Sequence, residues 1–144
     1  MAAYNKFQDF VEKVLTALHD FTAAGHVMKV YLSNATPSAS ADLVKADLAE
    51  LGAGNGYTAG GEDAQNTLAE SAGTATVTGT KIVWTAAGGT IGPFQYAVLY
   101  NDTAASDNLV AWWDYGSALT LQIGETFSVK WNGSDTTGTI FTLA

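Results

Sequence analysis

The stretch 93–116 holds two apolar runs, and it is the strongest indication of how this chain folds. Phe94 to Tyr100 forms the first run and Leu109 to Trp113 the second, and the residues between them are rich in Asn, Asp and Ser. Aromatic and β-branched residues favour strands, whereas Asn, Asp and Ser favour turns. The stretch therefore predicts a β-hairpin.

The first run of this hairpin is apolar on both of its faces. Side chains alternate between the two faces of a strand. A strand that is apolar on both faces is usually covered on both sides, so we expect the hairpin in the middle of a sheet. One face is predicted to carry Phe94, Tyr96, Val98 and Tyr100, and the other Ala97 and Leu99.

Further short apolar runs, separated by Gly-rich and polar turns, precede and follow the hairpin. About eight strands at this regular spacing predict a mainly β fold, a β-sandwich or a jelly roll. The predicted strands besides the hairpin are 27–34, 66–71, 74–84 with a bulge at Gly79, 119–123, 127–131 and 139–143.

An N-terminal α-helix is predicted over residues 3–21, because apolar residues recur there at helical spacing and form one stripe. The stripe consists of Tyr4, Phe7, Phe10, Val11, Val14, Leu15, Leu18 and Phe21. Gly25 follows closely enough to contribute to the helix stop. We expect this helix to pack on the sandwich through the apolar stripe. Because the helix carries three Phe residues, the alternative is that it docks on a partner or on a second subunit. The predicted packing residues are Phe7, Phe10, Val14 and Leu18.

One further short helix is predicted over 41–51, with Ser40 as its cap and Gly52 after its end. Almost all glycines and all four Trp residues lie at or beyond residue 52. We interpret the chain, 1–144, as a single domain. In it, a helix-strand-helix part, 1–51, packs on the β-sandwich part, 52–144.

The composition excludes several classes of function. The chain has no Cys, so disulfides and thiolate metal sites are impossible. Its net charge is −8 and all six basic residues are Lys, which weighs against nucleic acid as a partner. No apolar run is long enough to cross a membrane, and the N-terminus has no hydrophobic export signal. We expect the protein to be made in the cytoplasm and used without membrane contact.

The glycine-rich segment 52–61 does not fit a phosphate-binding loop. Such a loop needs Lys followed by Ser or Thr and a helix opening after the glycines. Glu62 and Asp63 follow instead and bring negative charge. We expect a loop whose glycines adopt positive φ values.

No arrangement of residues predicts catalysis or a bound metal. His19 and His26 are seven positions apart, too far for a metal pair on one helical face, and are expected at the surface. Asp114, next to the Trp pair, and Glu125 could in principle pair across the sandwich, as in a glycoside hydrolase, but we do not favour this interpretation. We therefore expect a protein that is not an enzyme and has no cofactor.

One loop gathers the oxygen ligands that Ca²⁺ prefers: Asp102, Asp107 and Asn108. Their spacing does not match an EF-hand loop. Solvated turn residues are the interpretation that we prefer.

The segment Trp112 to Tyr115 could form a platform on which a sugar stacks. Adjacent residues on a strand point to opposite faces, so Trp112 and Trp113 cannot both line one groove. One of the two is expected in the core. A carbohydrate-binding module therefore stays an alternative of another class.

Four segments resemble small structural proteins of tailed bacteriophages. They are the helix start 4–11, the glycine-rich segment 53–61, the strand 92–103 and the closing segment 124–131. The resemblance lies in the residue pattern and the order of these segments, and it covers most of the chain. The resemblance implies a structural component of the virion that catalyses no reaction.

Among virion roles, the resemblance favours a capsid decoration (cement) protein, a class in which small β-sandwiches often sit as trimers. The implied partners are the major capsid protein and further copies of this chain on the capsid surface. A tail or head-fibre component is the alternative within the virion. The candidate partner or oligomer contacts are Phe7, Phe10, Val14, Trp112, Trp113 and Tyr115.

Overall fold

The computed structural model describes residues 2–144, and over that range the chain is mainly β, as predicted. The fold is sandwich-like and built from antiparallel sheets. Helical structure is limited to α1 (Asp9–Leu15) and two 3₁₀ turns, Lys45–Asp47 and Trp131–Gly133. The strands are β1 Asn5–Lys6, β2 Met28–Ser33, β3 Glu62–Asp63, β4 Thr67–Ser71, β5 Thr74–Thr80, β6 Ile82–Thr85, β7 Ile91–Asn101, β8 Leu109–Leu121, β9 Thr126–Val129 and β10 Thr137–Leu143.

The predicted hairpin is β7 and β8, and β7 lies at the centre of the largest sheet. This sheet has the order β1-β8-β7-β2-β3. Val98 of β7 pairs with Trp112 on one side and with Tyr31 of β2 on the other. The two remaining sheets, β10-β5-β4 and β6-β9, are smaller.

Apolar side chains cover both faces of the central sheet, which confirms the expectation for β7. One face shares a large core with both smaller sheets, centred on the fully buried Trp84 and Trp131. The other face carries a second core that contains Tyr31, Val98 and Tyr100. Burial on both faces explains why the sequences of these strands are nearly continuous apolar runs.

The predicted face is wrong for Phe94. Phe94 lies in the large core, whereas Tyr96, two positions later, lies in the second core. The pairing register of β7 with β8 shifts between these two residues. A bulge adds one residue to one strand and so changes which face the following side chains occupy.

The prediction of one long helix over 3–21 is also wrong, since α1 spans only Asp9–Leu15. Before it, β1 pairs with β8, and the Phe7 amide donates to the Val110 carbonyl. After it, Ala17 has a φ of 58°, which stops the helix. Pairing with the sheet edge satisfies backbone groups that a longer helix would have bonded internally.

The residues predicted to anchor the first helix divide between the two cores. Phe10 lies in the large core, and Val14 packs against it. Phe7 lies in the second core. Leu18 follows the end of α1 and is half-buried.

The second predicted helix, 41–51, is reduced to the 3₁₀ turn Lys45–Asp47. Tertiary pairing replaces helical bonds here: Val44 forms a bridge with Asn108, and the Leu109 amide donates to the Leu43 carbonyl. The Asp47 carboxylate accepts from two backbone amides, Leu43 and Val44, at 3.0 Å.

The strand predicted over 74–84 is divided at Lys81 into β5 and β6, which belong to different sheets. The Lys81 amide donates to the Thr136 carbonyl, outside the ladder of either strand. Gly79, the predicted bulge, lies in β5.

In residues 2–144, no helix combines the length and apolar character that crossing a bilayer requires.

The glycine-rich loop adopts the positive φ values that were predicted, at Gly54, Gly56, Gly60 and Gly61. Gly61 also approaches β2 closely. A Cβ atom at this position would stand 1.8 Å from the Val30 carbonyl oxygen.

Candidate functional site

An apolar groove opens between α1, with the residues that follow it, and one face of the sheet β10-β5-β4. Its volume is about 760 Å³. The rings of Phe10, Phe21 and Phe141 line it and meet edge to face, with centroids 5.2–6.1 Å apart. Grooves of this size lined by apolar side chains are common binding sites.

The sheet wall of the groove is a row of apolar residues across three strands. Leu68 of β4 pairs with Val77 of β5, and Val77 pairs with Phe141 of β10. Paired residues lie on the same face of a sheet, so the register alone aligns these side chains. Leu143, two residues after Phe141, continues the wall.

The helix wall comes from the two sides of α1. Phe10 and Val14 lie one turn apart and pack towards the core. Val11 and Leu15, also one turn apart, stay exposed at 43% and 83%. The Lys13 ammonium lies 3.6 Å from the Asp9 carboxylate, an i,i+4 pair on the polar side of the helix.

The groove concentrates exposed apolar side chains. Nine large apolar residues of the described chain are exposed, and four of them line this groove. A contiguous apolar patch of this kind usually marks a contact with another molecule. The four are Val11, Leu15, Leu68 and Leu143.

The polar side chains that line the groove are few. Burial raises the pKa of Tyr4 to about 12, so its hydroxyl stays protonated at neutral pH. The Asp20 carboxylate accepts from the Thr22 hydroxyl and amide, which lower the pKa of Asp20. Lys6 contributes an exposed cation.

His19 also lines the groove, and a hydrogen-bonded cluster connects it to His26, which is not a lining residue. The two imidazoles meet at the side chain of Asn101, whose Nδ2 lies 3.0 Å from His19 Nδ1 and 2.9 Å from His26 Nδ1. Asn101 is fully buried and both histidines are half-buried. The sequence expectation of two surface histidines missed this convergence.

The six predicted contact residues do not form one surface. Phe10 and Val14 line the groove. Phe7 is fully buried and its ring centroid lies 4.6 Å from that of Trp112, on the other face of the central sheet. Phe7 is therefore a core residue and offers no free contact surface.

Trp113 and Tyr115 line a second, smaller cavity of about 340 Å³ together with Phe127. Trp113 is buried, whereas Tyr115 is 56% exposed. Trp112 and Trp113 point to opposite faces of β8, as their adjacency predicted. The platform of three aromatic residues considered for sugar binding is thus divided between two faces.

The carboxylates weighed for catalysis and calcium are held by local hydrogen bonds. Asp114 accepts from the Gln95 side chain and the Gly116 amide, and Glu125 accepts from the Gln122 amide. Asp102 accepts from the Tyr100 hydroxyl and pairs with Lys29 at 2.8 Å. Within residues 2–144, no group of three or more His, Asp or Glu side chains is placed to hold a metal ion.

Sequence reasoning found only part of the groove. Val11, Val14 and Leu15 belong to the apolar stripe that it identified, but Leu68 and Leu143 carried no signal beyond strand alternation. The missing information was the pairing of β4 and β10 with β5. This pairing brings together residues that lie far apart in the sequence.

Comparisons with protein-family models, with curated proteins and with solved structures find no match to this chain. The resemblance to phage structural proteins therefore stays a prediction from the sequence.

Proposed function

We propose that this protein is a structural component of a tailed-phage virion that decorates the capsid, binding the assembled major-capsid lattice as a small symmetric oligomer, a trimer. The observation that carries the proposal is the apolar groove, where Val11, Leu15, Leu68 and Leu143 remain exposed. The resemblance of four sequence segments supplies the class of partner. The protein acts by binding and not by chemistry.

The physical logic of a decoration protein is differential binding. A protein that binds the assembled lattice better than free subunits opposes disassembly by mass action. Burying one Leu side chain contributes about 1.5–3 kcal/mol. A groove with several exposed Leu and Val residues can therefore supply a large part of such a contact.

The experiment adds purified protein to undecorated shells and measures co-sedimentation and the melting temperature of the shells. We expect a fixed number of copies per shell and a higher melting temperature. Isolated capsid subunits should bind the protein poorly. Co-sedimentation with tails and not with heads would contradict decoration and favour the alternative of a tail or head-fibre component.

A matched pair of variants tests the groove itself. Leu15 is 83% exposed on the groove, and Ile123 is 68% exposed in the turn between β8 and β9, outside the groove. Leu15→Asp should weaken shell binding by roughly ten-fold or more, since about 1.4 kcal/mol corresponds to a factor of ten. Ile123→Asp should bind as the wild type does. Equal binding by both variants would remove the groove from the contact.

Carbohydrate binding remains a second candidate because Trp113, Tyr115 and Phe127 line one cavity with the polar Gln95 and Ser128. Titration with maltose, cellobiose and lactose, followed by tryptophan fluorescence, tests it. A response that Tyr115→Ala abolishes would support this candidate. No response to any of the three sugars would count against it.

A further inference from the structure

The side chain of Asn101 is fully bonded in one orientation. Its Oδ1 accepts from the backbone amides of Thr103 and Ala104, both at 3.1 Å. Its Nδ2 faces the Nδ1 atoms of His19 and His26. Turning the amide over would place NH₂ against two backbone N–H groups, so the backbone decides the orientation.

This orientation determines the protonation of both imidazoles. An amide nitrogen only donates, so Nδ1 of His19 and Nδ1 of His26 must both accept. A neutral imidazole that accepts at Nδ1 carries its proton on Nε2. Protonating either ring would set a donor against a donor around a buried amide.

We propose that His19, His26 and Asn101 form an acid-sensitive latch. At neutral pH the latch holds in place the segment that forms one wall of the groove, and on acidification it releases this segment. We call these three residues the histidine latch. The inference rests on the proposed function for the role of the groove as the binding face. It adds the regulation of that face by pH.

The latch acts on the segment 16–27, which connects α1 to β2. This segment supplies Ala17, His19, Asp20 and Phe21 to the groove. It contains no helix or strand of its own between Thr16 and Val27. Its shape therefore depends on the packing of Phe21 in the large core, on local turn bonds and on a small number of tertiary hydrogen bonds.

The other anchors of the segment do not titrate near neutral pH. The Asn66 side chain donates to the Phe21 and His26 carbonyls. The Val27 amide donates to the Thr103 hydroxyl, and the Val27 carbonyl accepts from the Asp102 amide. We expect these bonds to keep the part of the segment from Phe21 to Val27 attached while the part around His19 loosens.

Charged groups of both signs surround the latch. Asp9 and Lys13 of α1 act on His19 with opposite sign, and His26 opposes a charge on His19. Asp20 lies near His26, and the Asp102–Lys29 pair follows Asn101. Burial is the largest effect, followed by His26, and together they lower the pKa of His19 to about 4.

Nuclear magnetic resonance on the free wild-type protein tests the latch. At pH 7, imidazole nitrogen shifts should show both rings protonated at Nε2 alone. As the pH falls towards 4, the groove methyls of Leu15 and Leu143 should shift with the same midpoint as His19. The Val83 methyls, exposed outside the groove, should not follow.

A paired replacement, His19→Asn with His26→Asn, keeps an acceptor near each Nδ1 position and removes the titration. Its groove methyls should show no such transition. If this variant does not fold, the wild-type experiment still decides. A proton on Nδ1 of either ring at pH 7, or groove methyls that ignore the titration of His19, would overturn the latch.

The result of the resonance experiment on the latch does not depend on whether the proposed function is correct. Shell binding at pH 7.5 tests the function with the latch closed, whereas the resonance experiment needs no shell. The released form binds the His19 proton more readily than the latched form does. Over the pH range in which only the released form is protonated, the equilibrium constant for latching falls by about ten-fold per pH unit. Shell binding should weaken over the same range if both proposals hold.

Discussion

The ring of Phe7 packs 4.6 Å from that of Trp112, on the face of the central sheet opposite to Trp113. This contact joins the N-terminal segment to the hairpin of β7 and β8. Because Phe7 is fully buried, Phe7→Ala should lower the free energy of unfolding by roughly 3–5 kcal/mol. Val11→Ala, at a 43% exposed position, is the control and should change it little. Denaturant unfolding measures both; equal effects would contradict the assignment of Phe7 to the core.

Gly61 and Gly73 separate backbone strain from steric overlap. Both have positive φ, 72° and 81°, but only at Gly61 would an added Cβ meet neighbouring backbone. Gly73→Ala should cost about 1–2 kcal/mol, the cost of a left-handed L-residue. Gly61→Ala should cost clearly more, because it also pushes against the Val30 carbonyl. Thermal melting of both variants checks the order, and a smaller loss at Gly61 would contradict it.

The Tyr57 hydroxyl serves two partners. It accepts from the Leu32 amide at 3.1 Å and donates to the Glu50 carboxylate at 2.8 Å. Tyr57→Phe leaves a buried backbone donor without an acceptor, which should cost about 1–3 kcal/mol. Tyr115→Phe removes an exposed hydroxyl and should be nearly neutral. Urea unfolding of the two variants is the measurement. A neutral Tyr57→Phe would mean that water or a neighbouring group replaces the lost acceptor.

Stability should fall as the pH falls from about 6.5 towards about 4, because burial lowers the pKa of His19 to about 4 in the folded chain. In that window the unfolded chain binds the proton more readily than the folded chain does. Below it, His19 is protonated in both states and contributes no further change. Unfolding free energies measured along this range should decline, and His19→Asn should flatten the decline. An unchanged slope in the variant would assign the effect to other groups.

Chelator treatment should leave the melting temperature unchanged. The Asp102 carboxylate already has a Lys29 ammonium at 2.8 Å and the Tyr100 hydroxyl at 2.9 Å, so its charge is satisfied within the chain. Melting with and without EDTA, with added Ca²⁺ as the second arm, is the measurement. A large drop with EDTA that Ca²⁺ restores would instead make the loop of Asp102, Asp107 and Asn108 a calcium site.

Features that depend on local pattern could be predicted from the amino-acid sequence. The two apolar runs of the central hairpin, the opposite faces of Trp112 and Trp113, and the positive φ values of the glycine-rich loop follow from alternation and turn chemistry. The mainly β fold follows from the same signals repeated along the chain.

Contacts between distant segments set where helix gives way to strand, which face Phe94 occupies, and how the groove and the cluster of Asn101 with His19 and His26 assemble. Helical spacing at 3–21 could not reveal that Asn5 and Lys6 pair with β8. Nor could it reveal that Asn101 meets two histidines 82 and 75 positions away. Pairing between distant segments satisfies backbone and side-chain groups that local propensity would satisfy otherwise, and such partners are visible only once the chain has folded.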